Sequence, residues 1–331
     1  MLAHRVRFVR GLAAAIALSV LGAAAHAADK INVRFSWKLK GEYVAFYVAK
    51  EKGYFAAQNL DVSLGEGAGA QAALGALLQD QEDVVVVPGV YALTAISKGM
   101  PVKIVALYHP VAPVGFLSNP ENPVRTPKDL EGKSVATASG DTTVEYLPIL
   151  CKKNNIDCAK IRRVRGDVSL RVPMLQQKQV DIASTYLNVD PPILREQNIN
   201  FVIFDASKYG LVVPGLSLVS STKLIGAKGD ALRRFIVALN QGFETSRADP
   251  PAAAAMLLKS WAGGPSQAVV TEQVKKTLEF TPTSREHPAG FIDPALIRST
   301  LDEMVQLQQL DAPLRPLADY YTDALLPAAK Q

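Results

Sequence analysis

The chain has 331 residues, 48% apolar and 20% charged, which is enough for a sizeable core in one large or two medium domains and too ordinary for a disordered or fibrous protein. The formal net charge of +5 overstates its basicity, because Arg5, Arg7 and Arg10 stand in the first 27 residues with no acid beside them, leaving +2 for the rest. No basic face is concentrated enough for nucleic acid, no later apolar run is long enough for a membrane span, and two cysteines with only His109 and His287 after residue 27 make a poor zinc set.

Residues 1–27 read as a secretory signal peptide. The three arginines form its positive start, Gly11 to Gly22 a short apolar stretch, and Ala25-His26-Ala27 an A-x-A cleavage site. No cysteine follows to carry a lipid, so the expectation is a soluble, exported protein. Beyond the leader, strand-like and helix-like stretches alternate. INVRFSW (31–37) is a strand, 42–55 a helix, LDVSL (60–64) a strand, 70–78 a helix, and DVVVVP (83–88) a β-branched strand buried on both faces. A helix over 90–98 and strand 102–108 complete a first block of parallel βαβ units. The alternation breaks at 110–115 and restarts: a strand at 115–120, a short helix and strand across 126–140, a helix over 142–154, then 160–166, an amphipathic 168–177, 180–186 and 199–205. A second break at 206–213 precedes strand 215–221, and from Asp230 onward the chain is helical. Two breaks around a middle α/β block predict a first lobe that is interrupted and resumed, with a cleft between lobes. No low-complexity tract or repeat period interferes with this reading.

Four strand–helix seams carry glycine or polar residues. GEGAGA (65–70) imitates a dinucleotide fingerprint, but the nearest acids, Asp80, Glu82 and Asp83, precede the next strand instead of ending it. It is either a structural turn or a turn that aims backbone N–H groups and Gln71 at a ligand. In ASGDTTVEY (138–146), Asp141 or Thr142 caps a helix, or the threonine hydroxyls and free N–H groups hold a polar ligand group. PGVYAL (88–93) repeats the arrangement with Gly89 and Tyr91. STYLNVDPP (184–192) repeats it again, with Tyr186, Asn188 and Asp190 facing the cleft or capping the next helix. Cys151 and Cys158 either close a small disulfide loop or remain two buried thiols. No G-x-S-x-G, H-E-x-x-H or P-loop lysine occurs, and no cofactor motif survives scrutiny. His109, ending a strand beside the first break, reads as a hinge or surface residue and not as a general base.

YVAKEKGYFAAQNLDV (47–62), KGMPVKIVA (98–106), TPKDLEGKSVATASG (126–140) and QQKQVDIAS (176–184) resemble the periplasmic substrate-binding proteins of ABC importers of the NMT1/THI5-like, sulfonate/nitrate/taurine-type group. The resemblance covers nearly all of the chain after the leader. It implies an α/β, two-lobed, type II periplasmic binding protein with two Rossmann-like lobes: residues 28–113 and 210–331 form the first lobe and 114–209 the second. It implies a monomer that captures a small-molecule ligand by lobe closure and delivers it to a membrane permease, with no cofactor. The ligand contacts it implies are Trp37, Glu42 and Tyr43, then Gly69 and Gln71, then Gly89 and Tyr91, with Ser139, Asp141, Thr142, Thr143, Tyr186 and Asp190 from the second lobe. Trp37, Tyr43, Tyr91 and Tyr186 would stack on the ligand, the helix starts at Gln71 and Thr142 would take an anionic end, and Lys38 or Lys40 would neutralise it or reach to water. The expected ligand is a small organic anion, an aromatic carboxylate or sulfonate. Pyrimidine-binding relatives carry proline or asparagine and then histidine after the tryptophan, where this chain has Lys38-Leu39-Lys40-Gly41-Glu42. A pyrimidine or thiamine-precursor ligand is therefore the alternative, as is a sensor that presents its ligand to a receptor. An enzyme on the same scaffold is the least supported reading, since the cysteine-rich motif and active histidine of pyrimidine-synthesising relatives are missing.

Overall fold

Alternation of apolar and polar residues starts the fold in β1 (Asp29–Phe35), where Ile31, Val33 and Phe35 are buried and Lys30 and Asn32 face outward. The computed structural model describes residues 27–138, 140–284 and 286–328. The expected leader, apart from Ala27, and the candidate residue Ser139 lie outside the described residues. A 3-10 turn over Gly41–Tyr43 leads into α1 (Val44–Glu51), which ends before Gly53 at φ 73°, and α2 (Tyr54–Ala57) follows. The single helix expected over 42–55 is thus split, because Gly53 adopts the left-handed conformation that ends helices. β2 (Leu60–Gly65), α3 (Ala70–Leu78), β3 (Val84–Pro88), α4 (Gly89–Ser97) and β4 (Val102–Leu107) come next. Val84 to Val87 are all buried, as the β-branched run predicts.

The chain then enters a second sheet through β5 (Val114–Ser118), β6 (Ser134–Thr137), α5 (Thr142–Glu145), α6 (Leu147–Lys153), β7 (Arg162–Arg165), α7 (Arg171–Gln176), β8 (Ile182–Tyr186), α8 (Asp190–Glu196) and β9 (Val202–Asp205). The expected 142–154 helix is broken at Tyr146, since Pro148 lacks the N–H that continuity requires. β10 (Leu216–Ser221) returns to the first sheet. After it come α9 (Thr222–Ala248), α10 (Pro250–Leu258), α11 (Gln267–Glu279) and α12 (Pro294–Gln306). α9 begins at Thr222, earlier than the sequence suggests, because Ser221 caps it by accepting the Leu224 N–H.

The first sheet has the order β2-β1-β3-β10-β4 and the second β7-β6-β8-β5-β9. In each, the three strands at one end run parallel, and the strand that follows a crossing between sheets lies antiparallel between its neighbours: β10 between β3 and β4, β5 between β8 and β9. The chain therefore passes between sheets twice, at 108–113 and 206–215, where the alternation breaks in the sequence. α1, α9, α10 and α11 share one core with the first sheet, built around Phe35, Phe46, Phe235 and Phe243. Phe55 stacks on Phe235 with centroids 5.1 Å apart, tying the short α2 to the long α9. A second core joins α3, α4 and α12 to Tyr146, Leu147 and Leu150 of the second sheet's helices. Cys151 and Cys158 are joined by a disulfide, which resolves the alternative left open by their spacing. Among the described residues no helix is long and apolar enough to cross a membrane.

Candidate ligand-binding cleft

Parallel strands deliver their following segments to one edge of a sheet, and here the C-terminal ends of both sheets face each other. Between them lies a cavity of about 290 Å³. The first sheet lines it with Ser36, Trp37, Lys38, Leu39 and Lys40 after β1, Gly69 and Ala70 after β2, Val87 and Pro88 ending β3, and Leu216 opening β10. Glu42, Tyr43 and Tyr91 complete that wall. The second sheet supplies Ala138, Gly140, Asp141 and Thr142 after β6, Ser169 and Arg171 after β7, Tyr186 ending β8, and Val189 and Asp190 after it.

The glycine-rich turn is a brace for the segment after β1. Gly67 N–H donates to the Trp37 carbonyl at 3.2 Å and Gly69 N–H to the Ser36 carbonyl at 2.8 Å. Glu66 Oε1 accepts the Leu39 N–H at 2.8 Å, and its Oε2 pairs with Lys38 Nζ at 3.1 Å. A Cβ on Gly67 would stand 1.9 Å from the Phe35 carbonyl oxygen, so only glycine allows this approach. The brace holds Trp37 half-buried at the cleft wall.

Each of three aromatic rings in the wall is held by a further contact. Tyr43 stacks on Phe35, centroids 4.1 Å apart and planes 12° from parallel. Tyr91 donates its hydroxyl to Glu145 Oε2 at 2.6 Å, across from the first sheet's domain to the second's. The Tyr186 hydroxyl pairs with Thr142 Oγ1 at 3.1 Å.

The charges at the cleft wall are paired in place. Lys40 Nζ lies 2.5 Å from Glu42 Oε2, 4.6 Å from the Tyr186 ring centroid and 5.1 Å from that of Tyr43. Burial pushes the Glu42 carboxyl up, but Lys40 above all, together with His109, holds it below the usual carboxylate range. His109, 3.5 Å from Glu42 Oε1 and fully buried, is not a surface residue; burial pulls its pKa down to about 4. On the other wall Arg171 donates to the Ser184 carbonyl at 2.8 Å and stands 3.5 Å from Asp141 Oδ2 and 3.6 Å from Asp190 Oδ2. Asp141 also caps α5 through the Thr143 N–H and accepts from the Ser184 hydroxyl, while Asp190 accepts from Thr185 Oγ1 at 2.8 Å. Lys38, the most exposed of these cations, faces Glu66 outside the buried set.

Of the residues singled out from sequence, Trp37, Lys38, Lys40, Glu42, Tyr43, Gly69, Tyr91, Asp141, Thr142, Tyr186 and Asp190 meet at this cavity. Three do not. Gln71 is exposed, one step past the wall on the outer face of α3. The Gly89 N–H is spent on the Gly215 carbonyl at 2.6 Å. Thr143 is fully buried and its hydroxyl turns to the Thr185 carbonyl. Arg171, Ser169 and Leu216 line the cavity with no local signal to announce them. Arg171 meets Asp141, Ser184 and Asp190 only because β6, β7 and β8 are neighbouring strand ends, a property of the sheet and not of any window of sequence.

The family model described as NMT1/THI5 like matches residues 40–253. The formylaminopyrimidine-binding protein of Halalkalibacterium halodurans is 25% identical over 243 residues, covering 70% of this chain and 71% of that protein. The riboflavin-binding protein RibY of Chloroflexus aurantiacus is 23% identical over 227 residues, covering 67% and 64%. The periplasmic aliphatic sulphonate binding protein SsuA of Escherichia coli superposes with a TM-score of 0.71 at 15% identity, over 90% of this chain and 99% of that one. The fold is that of the type II periplasmic binding proteins. The chain belongs to the NMT1/THI5-like family.

Proposed function

We propose that the protein is exported, captures a small flat organic molecule in the cleft by closure of the two lobes, and presents it to a membrane permease without transforming it. The carrying observation is a cavity walled by Trp37, Tyr43, Tyr91 and Tyr186 whose largely enclosed cations, Lys40 and Arg171, already sit against carboxylates. Rings of this kind reward a planar ligand by offset stacking. Carboxylates at Glu42, Asp141 and Asp190 leave no surplus positive charge for a free anion, which would lose its hydration without gaining an unpaired partner. The ligand class supported best is therefore a neutral heteroaromatic compound with hydrogen-bonding edges, in place of the organic anion expected from sequence. Two relatives named for formylaminopyrimidine and riboflavin agree with this class.

A thermal-shift and calorimetry panel tests it, since binding to the folded state raises the melting temperature. Formylaminopyrimidine, riboflavin, an aliphatic sulfonate, an aromatic carboxylate and nitrate are compared on the purified protein. Stabilisation by a heteroaromatic compound, recovered unchanged by mass spectrometry, is the expected result. Preference for the sulfonate or nitrate would reject the ligand class, and conversion of the ligand would reject the non-catalytic role.

A further inference from the structure

Apart from the cleft, the two halves meet through side chains that do not line the cavity. Gln273 on α11 is fully buried, and both ends of its amide are used. Its Oε1 accepts the Gly41 N–H at 2.9 Å, and its Nε2 donates to the Val189 carbonyl at 3.0 Å. Gly41 follows β1 of the first sheet, and Val189 follows β8 of the second. One turn further along α11, Thr277 Oγ1 accepts from Asn188 Nδ2 at 2.9 Å, and the same Nδ2 lies 3.5 Å from Glu42 Oε1. Asn188, Gln273 and Thr277 are all fully buried. The fit is close: a Cβ on Gly41 would stand 2.4 Å from the Cβ of Gln273.

We infer that Asn188 and Gln273 are positioning residues for lobe closure, forming a latch that sets the balance between open and closed forms without touching the ligand. Glu42 couples the latch to the cleft. Its Oε1 faces Asn188 and its Oε2 holds Lys40, whose ammonium lies over Tyr186. A ligand resting on Tyr186 thereby acts on the latch through two side chains. The latch is also balanced. Asn188 Oδ1 and both His109 ring nitrogens close no hydrogen bond of full geometry among the described residues, although Glu42 Oε1 and the Thr277 main chain face the imidazole. Opening returns these groups to water, so the bonds gained on closing are offset by polar atoms left under-satisfied. The ligand's own preference for the closed form then decides the population.

This inference rests on capture between two lobes but not on which ligand is captured, so its test uses the full chain without ligand. Thr277→Val exchanges the hydroxyl for a methyl of the same shape, and Gln273→Leu removes both bonds to Gly41 and Val189. Small-angle scattering and amide hydrogen exchange are recorded for each beside the parent protein. Both variants are expected to increase the radius of gyration and to speed exchange at least ten-fold over 187–190 and 273–277, with exchange in β1 and far-UV dichroism unchanged. A purely structural role would instead lower the melting temperature while leaving the radius of gyration as it is. Should Gln273→Leu fail to fold, Thr277→Val decides alone. A Thr277→Val protein with the parent's scattering curve and exchange rates overturns the proposal, including the case in which the parent is already open. Failure of the ligand panel with success here would reject the ligand class and leave the latch standing.

Discussion

Trp37 shows what a single side chain contributes at this site. Its indole is half-buried on the cleft wall, held there by the Gly67 and Glu66 contacts to its flanking backbone. Trp37→Ala is expected to weaken ligand binding by about 1–3 kcal/mol in calorimetry, the usual range for an aromatic contact near the centre of an interface; unchanged affinity would remove Trp37 from the site. Tyr91→Phe separates two roles of one residue, because it keeps the ring and loses only the bond to Glu145. Lys40 is bound to Glu42 inside the protein, so Lys40→Met is expected to destabilise the fold by about 3 kcal/mol in urea denaturation, since it leaves a buried carboxylate without its cation. Lys40→Met combined with Glu42→Gln should recover most of that loss. A double variant as unstable as the single one would show that packing and not charge is at stake. The two lysines after Trp37 look alike in sequence, yet only the fold decides that Lys38 meets solvent and Glu66 while Lys40 turns inward.

Among the elements, the helices following each parallel strand were legible from periodicity, and their breaks were not. Gly53 and Pro148 act on φ and on a missing N–H, and a smooth apolar pattern conceals both. Cys151 and Cys158 belong at this scale too, tying α6 to the 3-10 turn over Cys158–Lys160. Neither cysteine lines the cavity. Replacing both by serine should lower stability by about 2 kcal/mol, the loop-closure contribution for so short a ring, and lower the melting temperature without altering ligand affinity. A loss of affinity as large as the loss of stability would tie the loop to the cleft.

At the scale of the whole molecule, acid is expected to weaken the fold through His109. The unfolded histidine takes up a proton near pH 6.5, whereas the buried one resists until about 4. Between these values the unfolded state binds more protons, so stability falls as pH falls, by up to roughly 3 kcal/mol across the window. Glu42, with its carboxyl held below the ordinary value of 4.5, adds a loss of the same sign only below that pH. Denaturation curves from pH 7 to pH 4.5 should therefore show a slope that His109→Asn flattens; an equal slope in the variant would place the titration elsewhere.

By itself the sequence determined the alternation of strands and helices and the two interruptions near 110 and 206, because hydrophobic period and turn chemistry are local properties, while the family was legible in the resemblance of 47–62, 98–106, 126–140 and 176–184. It also singled out Trp37, Tyr91, Asp141 and Tyr186 at the strand–helix seams, since the ends of parallel strands are where ligands are met. Only the tertiary structure decided which of them share a cavity, that Gln71, Gly89 and Thr143 turn away, and that Arg171 joins them. It alone showed that Lys40 is neutralised by Glu42 and that Gln273 bridges Gly41 to Val189 across 232 residues of chain on one side. Charge pairing and desolvation depend on distances between residues remote in sequence, and those distances exist only once the two sheets have formed and met.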